Sequence, residues 1–291
     1  MTLKDVAAFL RVGWDLVKDI YKRYLKKRFS KPKLSKLKCI AIDEISIRKG
    51  HKYITLVMDL KSGAVVYVGD GKGADALDDF WKRLKASRAK LKAVSTDMGP
   101  AYVSAVRENL PGVPLILDRF HVVKLMNEKL AHIRRSLYRE LKDTMCKKVL
   151  KGSRWILMKN PDNLSKKHDE QERLREALRL NEPLATAYYM KEDLRQIWTQ
   201  PDKEAAKKVL ESWTETAMSS DIQQLVKMGK IMALHRRSIL DWYDHPISSG
   251  PMEGTNNKIK TMKRQAYGFR DMEFFKLRIM GIHEAKYAIT G

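Results

Sequence analysis

Three acidic residues stand where a folded chain builds sites. Asp43 closes the apolar run Cys39-Ile40-Ala41-Ile42, Asp97 closes Leu91-Lys92-Ala93-Val94-Ser95-Thr96, and Glu253 follows the turn Ser248-Ser249-Gly250-Pro251. The first two are expected at strand ends and the third at a helix start, positions around which an α/β sheet holds ligands. Three carboxylates meeting there would hold two divalent cations, Mg²⁺ by preference because the ligands are hard oxygens, with Mn²⁺ as a substitute. Two such ions about 3.5–4 Å apart activate an attacking oxygen and stabilise a leaving one in phosphoryl transfer. Taken alone, each acid is more simply a turn residue or a helix cap, and spacing by itself does not demonstrate convergence.

The balance of charge supports a polyanionic partner. The 291 residues carry 58 Lys and Arg against 35 Asp and Glu, a net charge of +23. Nucleic acid is the leading partner and an anionic membrane surface the alternative. Apolar residues make up 44% of the chain, enough for a core. No apolar run approaches the roughly 18 residues of a membrane span, and Met1-Thr2-Leu3-Lys4-Asp5 lacks signal-peptide character, so a cytoplasmic protein is expected. Cys39 and Cys146 are the two cysteines, which excludes a disulfide framework or a Cys-rich zinc site.

The elements that must position the acids follow from the patterning. Residues 2–29 read as two helices around the Val12-Gly13 turn, equally a helix-turn-helix or an ordinary helical hairpin. A basic linker follows, with Pro32 as a breaker. Strands are expected near 39–43, 53–59, 64–68, 91–96 and 113–117, with helices at 74–84 and 101–110. The resulting order βββ-α-β-α-β is a mixed-sheet α/β unit. From His121 to about Tyr243 the pattern is almost wholly helical, and residues 119–160 carry 12 Lys or Arg against three acids. A last helix opens at Met252 or Glu253. The interval of 54 residues from Asp43 to Asp97 suits the βββ-α-β order, and the 156 from Asp97 to Glu253 require a large insertion, which the helical stretch supplies.

Several blocks together resemble one family. Ala41-Ile42-Asp43-Glu44, Ser95-Thr96-Asp97-Met98-Gly99-Pro100-Ala101-Tyr102, Asp118-Arg119-Phe120-His121-Val122-Val123-Lys124 and Ser249-Gly250-Pro251-Met252-Glu253-Gly254-Thr255-Asn256-Asn257 are similar to the signature blocks of the ISL-three type of bacterial insertion-sequence transposase, of the DDE class. Lys263-Arg264-Gln265-Ala266-Tyr267-Gly268-Phe269-Arg270 resembles that family too, and the blocks occur in its order over roughly residues 37–285. The resemblance implies an RNase H-like fold with a large all-helical insertion between the fifth strand and the last helix. It also implies Asp43, Asp97 and Glu253 as the catalytic, metal-binding triad, and DNA (element ends and target) as partner, in a bacterial, nucleoid-associated setting. Joining two ends usually requires at least a dimer, and a homodimer is one form this would take, although the sequence itself does not give the oligomeric state. Asp118 and His121 would support the active site or the DNA near it, although a capping Asp and a packed His explain them as well. Full-length relatives begin with a Cys-rich zinc-binding region and a complete helix-turn-helix, so the start of this chain resembles only the end of that region.

The expected organisation is a partial helix-turn-helix at 1–30, a basic linker at 31–38, the first part of the catalytic core at 39–121, the helical insertion at 122–246, and the C-terminal core helices at 247–291. Lys124, Arg134, Arg135, Lys258, Lys260, Lys263, Arg264 and Arg270 are candidates for DNA contact. Glu44 is turned to the opposite face by strand alternation and reads as structural, and Asp59 reads as a turn residue. Trp242 and Tyr243 read as core rather than as a stacking platform. Tyr267 and Phe269 fit DNA contact or a packed helix end equally. The rival readings are a related RNase H-like nuclease without strand transfer, and a truncated, non-autonomous DNA-binding remnant.

Overall fold

The computed structural model describes residues 2–48 and 52–284. Residues 1, 49–51 and 285–291, which belong to the expected segments 1–30, 39–121 and 247–291, lie outside the described residues. In chain order the helices α1 (Leu3–Leu10) and α2 (Trp14–Phe29) precede the strands β1 (Cys39–Arg48), β2 (Lys52–Asp59) and β3 (Val65–Asp70). Then come α3 (Asp78–Ser87), β4 (Ala93–Thr96), α4 (Pro100–Asn109) and β5 (Leu115–Leu117). Seven helices follow: α5 (Arg119–Glu140), α6 (Thr144–Gly152), α7 (Glu170–Arg179), α8 (Glu182–Arg195), α9 (Lys203–Met218), α10 (Gln223–Leu234) and α11 (Arg236–Leu240). Helices α12 (Gly250–Gln265) and α13 (Met272–Met280) close the described chain. The chain divides into two compact units, Met1–Ile116 with Ile247–Gly291, and Leu117–Pro246.

The first unit is built on a mixed five-stranded sheet, as expected, in the order β3-β2-β1-β4-β5. Strand β1 is central. It pairs antiparallel with β2 from Ile40↔Asp59 to Arg48↔Lys52, and parallel with β4 from Cys39↔Ala93 to Ile42↔Thr96. Asp43 therefore does not end the first strand, which corrects the boundary drawn from the apolar run. The strand continues past it because Ile45 and Ile47 resume the alternation and β2 supplies partners as far as Lys52; what ends beside Asp43 is β4. Asp59 does end β2, and it accepts from the Lys61 and Ser62 N–H groups in the turn that follows.

Alternation divides β1 between two cores. Ala41 and Ile45, with Leu56 and Met58 of β2, pack against Met252 and Ile259 of α12, Phe274 and Phe275 of α13, and Leu25 and Phe29 of α2. Ile40 and Ile42, with Val57, pack against Phe80, Trp81 and Leu84 of α3 and Tyr102 and Val106 of α4. Leu34 and Leu37 join this second cluster, so the basic segment 31–38 is pinned to the unit rather than solvated throughout. Helices α1 and α2 leave Phe9, Leu10, Trp14, Leu16 and Ile20 exposed.

The second unit is helical. Helix α5 packs on α8 and α10, and α9 on α10. The Trp213 indole donates to the Met190 carbonyl at 2.8 Å. The wholly buried Lys191 ammonium donates to the carbonyls of Leu157 and Lys159, both at 3.0 Å, and pairs with Glu192. Tyr243 donates to the Ile197 carbonyl at 2.7 Å, a structural role that fits the core reading.

Asp271 ties α2 to α13. It caps α13 by accepting from the Phe274 N–H at 2.9 Å, and it pairs with Lys22 at 3.0 Å and Lys18 at 3.2 Å. The backbone N–H first, and then the two ammonium groups, overcome the effect of burial and hold its carboxyl down at about 2. A depressed carboxyl stabilises the fold above its ordinary value near 4, and that stability is lost as pH falls through about 2. Asp271→Asn keeps a capping side chain but loses the charge. Melting curves should place it below wild type at pH 7, by about 1 kcal/mol, with the gap closing as pH approaches 2.

Candidate active site

The parallel pairing of β1 with β4 stops at Ile42 and Thr96, so Asp43 and Asp97 each stand one residue beyond it. The crevice outside the carboxyl ends of parallel strands is where α/β sheets take ligands. Asp43 Oδ1 accepts from the Glu44 N–H at 2.9 Å, and its Oδ2 accepts from Asn256 Nδ2 at 2.7 Å. Asp97 Oδ1 accepts from the Gly99 N–H at 2.9 Å. This tight turn explains the glycine, because a Cβ at position 99 would lie 2.8 Å from Asp97 Oδ1. Pro100 then opens α4.

Glu253 lies exposed in the first turn of α12. Pro251 favours a helix start there, since its missing N–H would be unpaired in any case. Met252, Thr255, Asn256 and Ile259 form the buried face of α12. Asn256 follows Glu253 by three residues, so the two are neighbours on the helix surface. The hydrogen bond from Asn256 to Asp43 thus links the helix carrying the third acid to the strand carrying the first.

Among the described residues, no three His, Cys, Asp or Glu side chains lie close enough to share a metal ion. The three acids do not form a closed cage in this conformation. The donors nevertheless fit Mg²⁺ or Mn²⁺, because they are hard oxygens. Mg²⁺ in particular is commonly held by one or two carboxylates, with waters and substrate phosphates completing its shell.

Glu44 points to the opposite face from Asp43, as alternation requires, and shares that face with Thr55, its partner across the sheet. Thr55 Oγ1 lies 2.8 Å from the Tyr102 hydroxyl and 2.9 Å from the Gly71 carbonyl. Tyr102 therefore fastens the first turn of α4 to the sheet, close in sequence to the Asp97 turn. Glu44 Oε2 and Thr96 Oγ1 are buried without a hydrogen-bond partner. Burial, then the charges of Asp97 and Asp43, push the Glu44 carboxyl up to about 7. Glu44 is thus on the far face yet within the electrostatic reach of two acids.

Asp118 and His121 lie in the second unit. Asp118 is buried and caps α5, accepting from the Phe120 N–H at 2.7 Å, and the His121 ring packs edge-on against Phe120. Among the candidate DNA contacts, Lys124, Arg135, Lys258, Lys260, Arg264 and Arg270 are exposed. Lys263 donates to the Ile47 carbonyl at 2.8 Å, and Arg134 to the Leu150 carbonyl at 3.0 Å. These two serve the fold, and burial lowers the pKa of Arg134. Tyr267 is fully exposed, whereas Phe269 stacks on Phe275 with ring centroids 4.5 Å apart. Sequence reasoning missed Asn256, Gly99 and Tyr102 as parts of the site. The spacing Glu253-x-x-Asn256 was a usable signal for the first; nothing in the sequence pointed to the Thr55–Tyr102 pair.

The sequence of the chain is similar to that of known proteins. A transposase family model of the DDE class, ISL3 type, matches residues 40–279, and the chain belongs to that family. The transposase for insertion sequence element IS1001 of Bordetella parapertussis is 34% identical over 280 residues, covering 95% of this chain and 68% of that protein. The transposase for insertion sequence element IS1557 of Mycobacterium tuberculosis is 31% identical over 291 residues, covering 91% of this chain and 64% of that protein. The chain thus spans about two thirds of the length of these relatives. The Drosophila P element transposase strand transfer complex aligns over 99% of this chain with a TM-score of 0.45 and 11% identity.

The Glu44 environment has a measurable consequence. A carboxyl raised by burial costs no stability below about 4.5, where it is protonated whether the chain is folded or not. The cost grows as pH rises and is complete above about 7. Glu44→Gln should therefore melt above wild type at pH 8 in the presence of a chelator. The advantage should vanish below pH 5, and an equal difference at both pH values would contradict the assignment.

Proposed function

We propose that this chain is the catalytic portion of a DNA transposase, with Asp43, Asp97 and Glu253 as its catalytic acids. Family membership supports the reading. The observation that carries it is the placing of Asp43 and Asp97 at the end of the β1–β4 pairing, with α12 bonded to Asp43 one turn from Glu253. The sheet order and the mixed pairing support an RNase H-like core at 39–121 and 247–291, interrupted by an inserted helical segment at 122–246. Residues 1–30 would be a partial helix-turn-helix and 31–38 a basic connection.

The reaction has two parts. Water attacks a phosphodiester at the element end and the strand leaves with a free 3′-hydroxyl. That hydroxyl then attacks a target phosphodiester, forming the new bond as the target's own 3′-oxygen departs. Mg²⁺, or Mn²⁺ in its place, bound at the three acids would neutralise charge developing on the phosphate oxygens. Asp43 and Asp97 are held for ligation by the Asn256 amide and the Gly99 N–H. The exposed cations Lys258, Lys260, Arg264 and Arg270, with Lys124 and Arg135, would grip the backbone of element-end and target DNA. Joining two ends calls for a homodimer, and a bacterial cytoplasmic, nucleoid-associated location follows from this reading.

Single replacements of Asp43, Asp97 or Glu253 by Ala should reduce Mn²⁺-dependent cleavage of an uncut element-end duplex, and joining of a precut one, by on the order of a thousandfold, the usual scale of several kcal/mol for metal catalysis. Filter binding of the same duplexes should be retained. Glu108→Ala, on the exposed side of α4, should behave as wild type in both assays. Wild-type activity in Glu253→Ala would remove the third acid from the site. Cleavage without joining by the wild-type chain would favour the nuclease reading, and binding with neither would favour the remnant.

The charge makes a second demand. With a net charge of +23, the duplex affinity should fall at least tenfold between about 50 and 200 mM salt, since each phosphate neutralised releases counterion. Titration of random and element-end duplexes at both salts tests this, and salt-independent binding would refute it.

A further inference from the structure

We propose that Asn256 is a positioning residue of the cation site, acting through Asp43, and that its own carbonyl oxygen accepts from the hydration shell of the bound cation. The proposal rests on the reading of Asp43 as a metal-binding acid and goes beyond the three acids. Asn256 lies in the middle of α12, where it caps nothing, and asparagine is a poor helix former. Its side chain reaches Asp43, 213 residues away, rather than its own helix backbone. A carboxylate only accepts hydrogen bonds. The amide nitrogen must therefore face Asp43 Oδ2, at 2.7 Å, and the carbonyl oxygen must face elsewhere.

That carbonyl oxygen is the telling atom. Asn256 is 8% exposed, and its Oδ1 is buried without a hydrogen-bond partner. Native structures rarely leave a buried acceptor unmatched, and such exceptions call for an explanation in ligand, water or ion. The neighbouring Thr255 hydroxyl is already engaged with the Pro251 carbonyl and His283. Met252 and Ile259, fully buried in the core beneath, anchor α12 on both sides of Asn256, so the amide is held at Asp43 by packing. One end of the amide thus orients the acid while the other offers a buried oxygen at the same place. A side chain that orients a ligating carboxylate typically changes metal affinity ten- to a hundredfold when removed.

The test uses the full chain without DNA, with Mn²⁺ alone as the probe, read by calorimetry and by melting temperature with and without the ion. Asn256→Ala should bind Mn²⁺ about ten- to a hundredfold more weakly than wild type, whereas Asn257→Ala, exposed one residue on, should bind as wild type. Asn256→Asp sets two carboxylates against each other. It should melt below wild type without the ion, and Mn²⁺ should raise its melting temperature by more than it raises that of wild type. If Asn256→Ala is folded and binds Mn²⁺ as tightly as wild type, the proposal is overturned while the reading of the acids stands. Should Asn256→Ala not fold, an Asn256→Asp variant stabilised by Mn²⁺ no more than wild type overturns it. If wild type itself binds no Mn²⁺ at millimolar concentration, the reading of the acids fails, and this proposal with it.

Discussion

The register of β1 governs the rest of the first unit. The strand is hydrogen-bonded on both edges and buried on both faces, so each residue has one cluster to which it can belong. A slip of one residue would send Ala41 and Ile45 to the α3–α4 side, and Ile40 and Ile42 to the α12–α13 side. It would also exchange Asp43 with Glu44. The face that meets α12 would then present the acid that now sits behind the sheet, and Asn256 would lose its partner. The apolar residues on either side of the acids are what fix which acid faces α12.

Electrostatics completes what register begins. Asp97 sits just before the N-terminus of α4, and Glu253 lies in the first turn of α12. The N-terminal ends of helices carry partial positive charge and unpaired N–H groups. The Asn256 amide and the Glu44 and Gly99 N–H groups add donors aimed at the carboxylates. Glu44 receives no such help for its Oε2, and burial, then the charges of Asp97 and Asp43, raise its pKa.

Much of this was legible in the sequence. The five strands announced themselves through apolar alternation and turn residues, and the helical stretch after His121 through its period and its lack of strand signals. The blocks around Asp43, Asp97 and Glu253 pointed to the family. What was not legible depended on partners distant in the chain. The length of β1 is set by β2, which a scan of the run ending at Asp43 does not see. The burial of Leu34 and Leu37 within the basic linker is provided by the sheet and α3, which the linker's own sequence does not show. Lys263 and Arg134 looked like surface cations because the carbonyls they bind carry no mark in the sequence. Asn256 had a local clue in its spacing from Glu253, but its bond to Asp43 spans 213 residues.

The discontinuity of the first unit bears on the order in which the chain is made. The apolar face of β1 and β2 is covered by Met252, Ile259, Phe274 and Phe275, all of which are translated after the segment Leu117–Pro246. At about 5–20 residues per second, that segment takes on the order of ten seconds to emerge from a ribosome. During this interval the nascent sheet has one face dressed by α3 and α4 and the other bare except for α2. Helices α5 to α10 can meanwhile pack on one another, since their contacts lie within their own stretch of chain. Synthesis therefore runs in the order sheet, helical unit, covering helices, and the acids of the strands acquire the α12 side of their site only after the helical unit has been translated. A chain stopped short of α12 would display the strands and both Asp43 and Asp97, yet keep an apolar sheet face open to aggregation.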